Sequence, residues 1–252
     1  MSSQPIKPPP GHVYYFAYGS NMAAATMLRR QFHPVKSVVC VLPNYAISFN
    51  MAAIPYVEPA FATVYPIEDQ DHVSLEQGLL TTAHGVVHLI PQNEFLRIVY
   101  SEGGNGHRDL AYNVETVTVN AVDSSECFEA VVFASPRELT SSDHWPSRRY
   151  LDLCVSGAIE QGLPPKYIEW MKNQPCYDPA KKTVLQRVGS YAFGIWFIPF
   201  TMLLFMPMVY LAKKEIKPPL LFPVCALGLS SLGRGVHKYA FRHIFGSGTN
   251  HA

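Results

Sequence analysis

From Val188 to Ala212 the chain runs for 25 residues without a charged side chain, VGSYAFGIWFIPFTMLLFMPMVYLA. At about 1.5 Å per residue a helix of this length reaches roughly 37 Å, enough to cross the hydrocarbon core of a bilayer. Tyr191, Trp196 and Tyr210 suit the interfaces, and Pro199 and Pro207 would kink the helix. Lys181, Lys182 and Arg187 precede the run and Lys213, Lys214 and Lys217 follow it, so the flanking charges set no orientation. A second apolar piece, Leu220 to Leu232, is short for a span and suits an interfacial or re-entrant partner. The alternative is that both pieces cover the protein's own apolar surface or a dimer interface.

Charge follows the same division. Residues 1–180 hold 11 Lys/Arg and 18 Asp/Glu, whereas residues 181–252 hold 9 Lys/Arg and one acid, Glu215, a balance of −7 against +8. A basic, apolar tail suits an anionic membrane surface. The acidic part is long enough to bury a core of its own, and it shows no basic face for nucleic acid. Cys40, Cys127, Cys154, Cys176 and Cys225 lie far apart with no CxxC pair, which points to reduced intracellular thiols rather than a disulfide framework or a thiolate zinc site. With no signal-peptide pattern and no N-x-S/T acceptor, the expectation is a membrane protein whose N-terminal part faces the cytosol.

The organisation predicted along the chain is a Pro-rich flexible tail over residues 1–12, a folded domain over 13–180 and the basic, apolar tail over 181–252. Strand-type runs lie at 12–18, 37–42, 45–50, 60–65, 85–90, 112–122 and 127–134, separated by Pro, Gly, Asp and Ser clusters. Helical patterns lie at 22–32, 91–100, 148–161 and 165–172. This order predicts an α+β fold. His84 and His88 are four apart, but HGVVHLI reads as a strand, where they would stand roughly 13 Å apart and share no metal. No GxSxG elbow or Walker A loop is present, and GSGTN near the end reads as a flexible tail.

The stretch YFAYGSNM, Tyr15 to Met22, places a glycine and two helix-capping residues, Ser20 and Asn21, between a strand and a helix. One reading is a cradle where backbone N–H groups meet an anion or a developing oxyanion. The other is a tight turn before a capped helix, with nothing bound. Spacing alone leaves both open.

YFAYGSNM resembles the N-terminal signature of the γ-glutamylcyclotransferase family. Two further blocks match in order: Val99-Tyr100-Ser101-Glu102-Gly103, at the place of the family's catalytic glutamate, and Pro146-Ser147-Arg148-Arg149-Tyr150 followed by Gly157-Ala158-x-x-x-Gly162-Leu163-Pro164-x-x-Tyr167. The resemblance covers roughly residues 13–180, and Ile54 to Ala62, IPYVEPAFA, is similar to the fungal branch with members in gliotoxin-type biosynthesis.

The resemblance implies the family fold, a small mixed β-barrel or sheet with flanking helices, and a lyase-type cyclisation. In that reaction the α-amine of a γ-glutamyl compound attacks its own γ-carbonyl, giving 5-oxoproline and releasing the amine, with no metal or other cofactor. The α-amine is largely ammonium at neutral pH, so a base must first take a proton, the role the family position gives Glu102. By the same resemblance Tyr18, Gly19, Ser20 and Asn21 hold the glutamyl moiety and Tyr150 hydrogen-bonds the substrate. The family often has a tyrosine a few residues after its glutamate; here GNGHRD pushes the nearest, Tyr112, further away, and the longer loop suits a bulkier substrate. The implied partners are a small γ-glutamyl substrate, glutathione-related or a γ-glutamylated metabolite, membrane lipid and a second copy in a homodimer. A membrane-tethered scaffold with the same fold and no chemistry is the alternative, which the presence of Glu102 disfavours.

Overall fold

One β-branched residue and three consecutive aromatics in His12–Ala17 build β1, the central strand of the computed structural model, which describes residues 4–68, 81–101, 113–135 and 139–250. Five more strands follow: β2 (Lys36–Ile54), β3 (Glu58–Pro66), β4 (Thr81–Pro91), β5 (Asn113–Ala121) and β6 (Cys127–Ala134). Their order is β3-β2-β4-β1-β6-β5, and a further β2–β5 pairing, Cys40 opposite Ala121 and Val41 opposite Asn120, closes five of them into a barrel. β1 runs antiparallel to β4, with Val13 opposite Ile90, and parallel to β6 at Tyr15 opposite Val131. β3 is left outside the ring as a hairpin extension of β2.

The strand-type runs at 37–42 and 45–50 are one strand, not two. Pro43 and Asn44 break the pattern in sequence, yet Asn44 takes φ 61° and the β2–β4 register shifts between Leu42 and Ala46, so the chain bends without leaving the sheet. The bend lets one strand serve both the barrel and the β3 hairpin.

Helices α1 (Ala24–Arg29), α2 (Gln92–Ser101), α3 (Arg148–Glu160) and α4 (Pro165–Lys172) flank the barrel. The main core joins barrel residues such as Phe16, Ile90 and Phe128 to Leu151, Cys154 and Ala158 of α3 and to Tyr167 and Met171 of α4. The N-terminal Pro-rich segment is not a free tail along its length. Ile6 N–H donates to Cys127 O at 2.8 Å and Ile6 O accepts from Glu129 N at 3.0 Å, because β6 offers that edge an unpaired row of backbone groups.

The C-terminal part is a helical hairpin. α5 (Val184–Lys213) starts with a capping box between Thr183 and Gln186, and α6 (Leu221–Val236) returns alongside it through a π-helical turn, His237–Phe241, into the short α7 (Arg242–Phe245). α5 alone among the described helices is long and apolar enough to cross a membrane, by length and composition. Tyr56, Phe193 and Phe197 form a second, smaller core where the hairpin meets the β2–β3 turn. The GSGTN segment is not flexible either. Tyr56 N donates to Gly248 O at 2.6 Å, Tyr56 Oη to Gly246 O at 2.9 Å and Trp145 N to Thr249 O at 3.0 Å, and Thr249 and Asn250 are buried. Its glycines let the backbone lie against the Tyr56 ring: a Cβ on Gly248, at φ +58°, would stand 2.2 Å from that ring.

Candidate active site

β1 delivers the chain to Tyr18 and Gly19, and a 3₁₀ turn over Ser20–Met22 carries it to α1. The predicted strand-to-turn-to-helix order holds, but Ser20 and Asn21 are not side-chain caps of the helix. α1 begins later, at Ala24, with Ala23 at its N-cap, and Glu160 of α3 supplies the cap by accepting from Ala24 N at 3.2 Å. The hydrogen bonds of the turn itself, Met22 N to Gly19 O and Ala23 N to Ser20 O, leave the N–H groups of Ser20 and Asn21 outside it.

Side chains lock the turn from both sides. Asn21 Nδ2 donates to Tyr15 Oη at 2.9 Å, and Tyr18 Oη donates to Phe133 O on β6. Beneath them the buried His88 of β4 has Nδ1 2.8 Å from Ser37 Oγ, while its Nε2 has no hydrogen-bond partner among the described residues. Burial pushes the His88 pKa down to about 4, outweighing the nearby Asn21 backbone that favours the protonated ring. His84 instead bonds Thr82 O and packs at a tilt against Tyr167, and the described residues contain no cluster of metal-ligating side chains.

The third sequence block meets the first in space. Ser147 caps α3 by accepting from Tyr150 N at 3.0 Å, and buried Glu58 holds the same helix start by accepting from Ser147 N at 3.0 Å and from Arg149 Nη2 at 2.7 Å. This fixes Tyr150, whose hydroxyl accepts from Ala62 N at 3.2 Å and stands where a Cβ on Gly19 would come within 3.0 Å of it. Gly19 has φ −117°, so what a larger residue would meet here is the close approach of Tyr150 rather than a left-handed backbone. Gly157 has the matching role about two helix turns on: a Cβ there would lie 2.7 Å from Ala23 N, so α3 seats directly on the turn. The glycines of the first and third blocks are two sides of one close contact.

Between these parts lies a cavity of about 70 Å³ lined by Tyr18, Gly19, Ser20, Asn21 and Tyr150, together with Tyr15, Arg30, Ala62 and Phe133. The sequence-predicted binding residues are thus brought to one place. Sequence reasoning missed Tyr15, Arg30, Ala62 and Phe133; Arg30, just past the end of α1, brings a positive charge to the lining. Glu102 and Tyr112 lie outside the described residues; α2 ends at Ser101, immediately before Glu102.

Comparisons with known proteins agree with this geometry. The AIG2-like family profile matches residues 83–171. The chain is 29% identical over 205 residues to gamma-glutamyl cyclotransferase aclK of Aspergillus oryzae, covering 76% of this chain and 72% of the relative. It is 26% identical over 210 residues to gamma-glutamyl cyclotransferase gliK of Aspergillus fumigatus, covering 79% and 75%. Among solved structures, one titled gamma-glutamyl cyclotransferase superposes with a TM-score of 0.52 at 20% identity over 66% of this chain and 89% of that one, and an uncharacterized human protein does so with 0.52 at 21% over 66% and 90%. At these identities the superpositions establish the shared barrel fold, and the sequence matches point to fungal relatives. The chain is thus similar, over about three quarters of its length, to fungal proteins named gamma-glutamyl cyclotransferase.

Proposed function

We propose that the protein converts a γ-glutamyl compound into 5-oxoproline and a free amine, with the turn at Tyr18–Asn21 and Tyr150 holding the substrate and Glu102 as the base. The observation that carries this reading is the meeting of the first and third sequence blocks around one cavity, with the Tyr150 hydroxyl against Gly19.

The chemistry follows from the groups present. Glu102 takes a proton from the substrate's α-ammonium, and the freed amine forms a C–N bond to the γ-carbonyl carbon. Negative charge then develops on the carbonyl oxygen, where the N–H groups of Ser20 and Asn21, at the open end of the 3₁₀ turn, are suited to receive it. Collapse breaks the bond to the leaving amine, which receives the proton from Glu102; the second proton of the ring nitrogen then passes through the same carboxylate to the released amine, which departs as ammonium, so no water, metal or cofactor is consumed. Arg30 gives the lining a positive charge fit for the substrate's α-carboxylate.

In this reading residues 13–180 carry the chemistry, on glutathione-related or γ-glutamylated metabolites, and α5 attaches the protein to a membrane with the catalytic part in the cytosol. The test is a panel of γ-glutamyl amino acids, glutathione and glutathione adducts with the purified full chain, read by 5-oxoproline release and with Glu102→Gln as the control. Release by the parent and not by the variant supports the enzyme. No product from any member of the panel would favour a scaffold that keeps the fold without the chemistry.

A further inference from the structure

α5 carries two apolar stripes on opposite sides. Gly189, Phe193, Phe197, Thr201, Met208 and Ala212 are buried and face the protein, whereas Tyr191, Ile195, Ile198, Met202 and Met206 recur on the other side at i, i+4, i+7, i+11 and i+15 and are exposed. A helix alone in lipid has no need of a buried stripe along its whole length. This one packs along α2 of the catalytic part as well as along α6.

Three attachments hold the hairpin flat. At its start Lys182 Nζ donates to Tyr56 O at 2.6 Å, and at its end Gly246 and Gly248 bond Tyr56 again. At its tip Glu215 Oε1 accepts from Asn93 Nδ2, at the beginning of α2, at 2.9 Å. Gly233 and Gly189 lie against the side chains of Phe197 and Phe245, where an added Cβ would come within 2.3 Å of the Phe197 ring and 2.4 Å of Phe245 Cβ, so the two arms of the hairpin are tightly packed. Placing α5 upright across a bilayer would draw Asn93, Glu94 and Arg97 of the neighbouring α2 into hydrocarbon, where charged groups are strongly disfavoured.

We infer that the hairpin docks in the plane of an anionic membrane surface, its outer stripe sunk among the acyl chains and the catalytic barrel resting on the headgroups, with both arms and the tip on the cytosolic side. Charge selects this occupant. Lys181 and Arg187 at one end of α5 and Lys213, Lys214 and Lys217 at the other are exposed, and the whole segment holds a single acid, Glu215, which is turned to Asn93. Basic ends around an apolar stripe complement anionic headgroups above acyl chains, whereas a second copy would bring the same positive ends together. The docked surface places α2, which ends at Ser101, beside the lipid.

This inference rests on the membrane attachment proposed above and is independent of the chemistry. Full-length protein carrying Lys217→Cys is mixed with sealed phosphatidylcholine vesicles, with and without phosphatidylserine, and treated with a membrane-impermeant maleimide, the parent chain giving the background. The expected result is sedimentation that strengthens with phosphatidylserine, full labelling of the tip without detergent, and binding weakened at least about tenfold by Ile195→Asp with Met202→Asp. A sedimenting protein whose tip is labelled only after detergent has a spanning helix, which overturns the in-plane arrangement. Protein that stays in the supernatant overturns membrane attachment itself, and a dimeric mass there, lost in the Asp variant, would identify a second copy as the cover.

Discussion

The turn at residues 18–22 and the α5–α6 hairpin are both held against the same barrel, by opposite means. At the turn polar groups are individually matched: Asn21 to Tyr15, Tyr18 to Phe133 O, Tyr150 to Ala62 N and Ser147 to Glu58. In the hairpin the contacts are mostly rings, with Phe193 beside Tyr56, Trp196, Phe197 and Phe241. Matched hydrogen bonds fix direction, which a reacting site requires. Apolar contact fixes attachment over a wide area with little directional demand, which a docking element requires. Chemistry and location should therefore be separable by substitution.

The largest separation is expected at Glu102. Glu102→Gln should lower turnover by about two to four orders of magnitude, the usual worth of a general base, and leave vesicle sedimentation unchanged. Near-normal 5-oxoproline release from that variant would end the assignment. Next comes Gly19→Val, whose added atoms must displace the Tyr150 hydroxyl from 3.0 Å; a displacement near an ångström at a reacting site costs roughly a hundredfold in rate. Wild-type kcat in Gly19→Val would show that the contact with Tyr150 has no part in the reaction.

On the hairpin side, Tyr56→Ala removes a ring packed on Phe193 and His237 and the bond to Gly246. Urea unfolding should register a loss of roughly 3 kcal/mol, with turnover per folded molecule nearly intact. A large fall in kcat at unchanged stability would instead make the hairpin part of the active site.

Acid should weaken the turn from beneath. The folded pKa of His88 is depressed from 6.5 to about 4, so the unfolded chain takes up the proton more readily. Its contribution to stability is whole above the unfolded value and is lost as pH falls from 6.5 towards 4. His88→Gln should flatten that part of an unfolding free-energy profile, and an unaltered slope would remove His88 from the account. Smallest of all should be Ser20→Ala. Since Ser20 caps no helix by its side chain, the change should stay within about 0.5 kcal/mol with little effect on turnover, and a loss comparable to that of Gly19→Val would show that the hydroxyl itself contacts the substrate.

Most strands and helices were legible because their signals are local. β6 and α4 fall on the predicted residues, and β1, α2 and α3 lie within a residue of them. The misreadings arose where distant residues decide. Pro43 and Asn44 look like a break until β4 is present to hold the bent strand, and the first helix starts late because α3 brings Glu160 to its N-terminus. GSGTN has the composition of a loose end, and only Tyr56, nearly 200 residues earlier, gives it a place to bind. At the site, the motifs announced the turn and Tyr150 through their glycines and spacing. Tyr15, Arg30, Ala62 and Phe133 belong to β1, the end of α1, β3 and β6 and carry no joint pattern in sequence, since only the folded chain brings these separate elements to one cavity.

The hydrogen bond from Ala62 to Tyr150 has a consequence for solubility. β3 is the strand outside the closed ring, and an edge strand with unpaired backbone groups is a template on which other chains can add. Along that strand the Tyr150 hydroxyl occupies the N–H of Ala62, and Ser135 N donates to Val64 O at 3.3 Å, so two rungs of the open ladder are already taken. A side chain that borders the cavity at the turn also blocks a growth point for intermolecular β-sheet. Selection against aggregation would then keep a hydroxyl at this position even in a relative that had lost its chemistry.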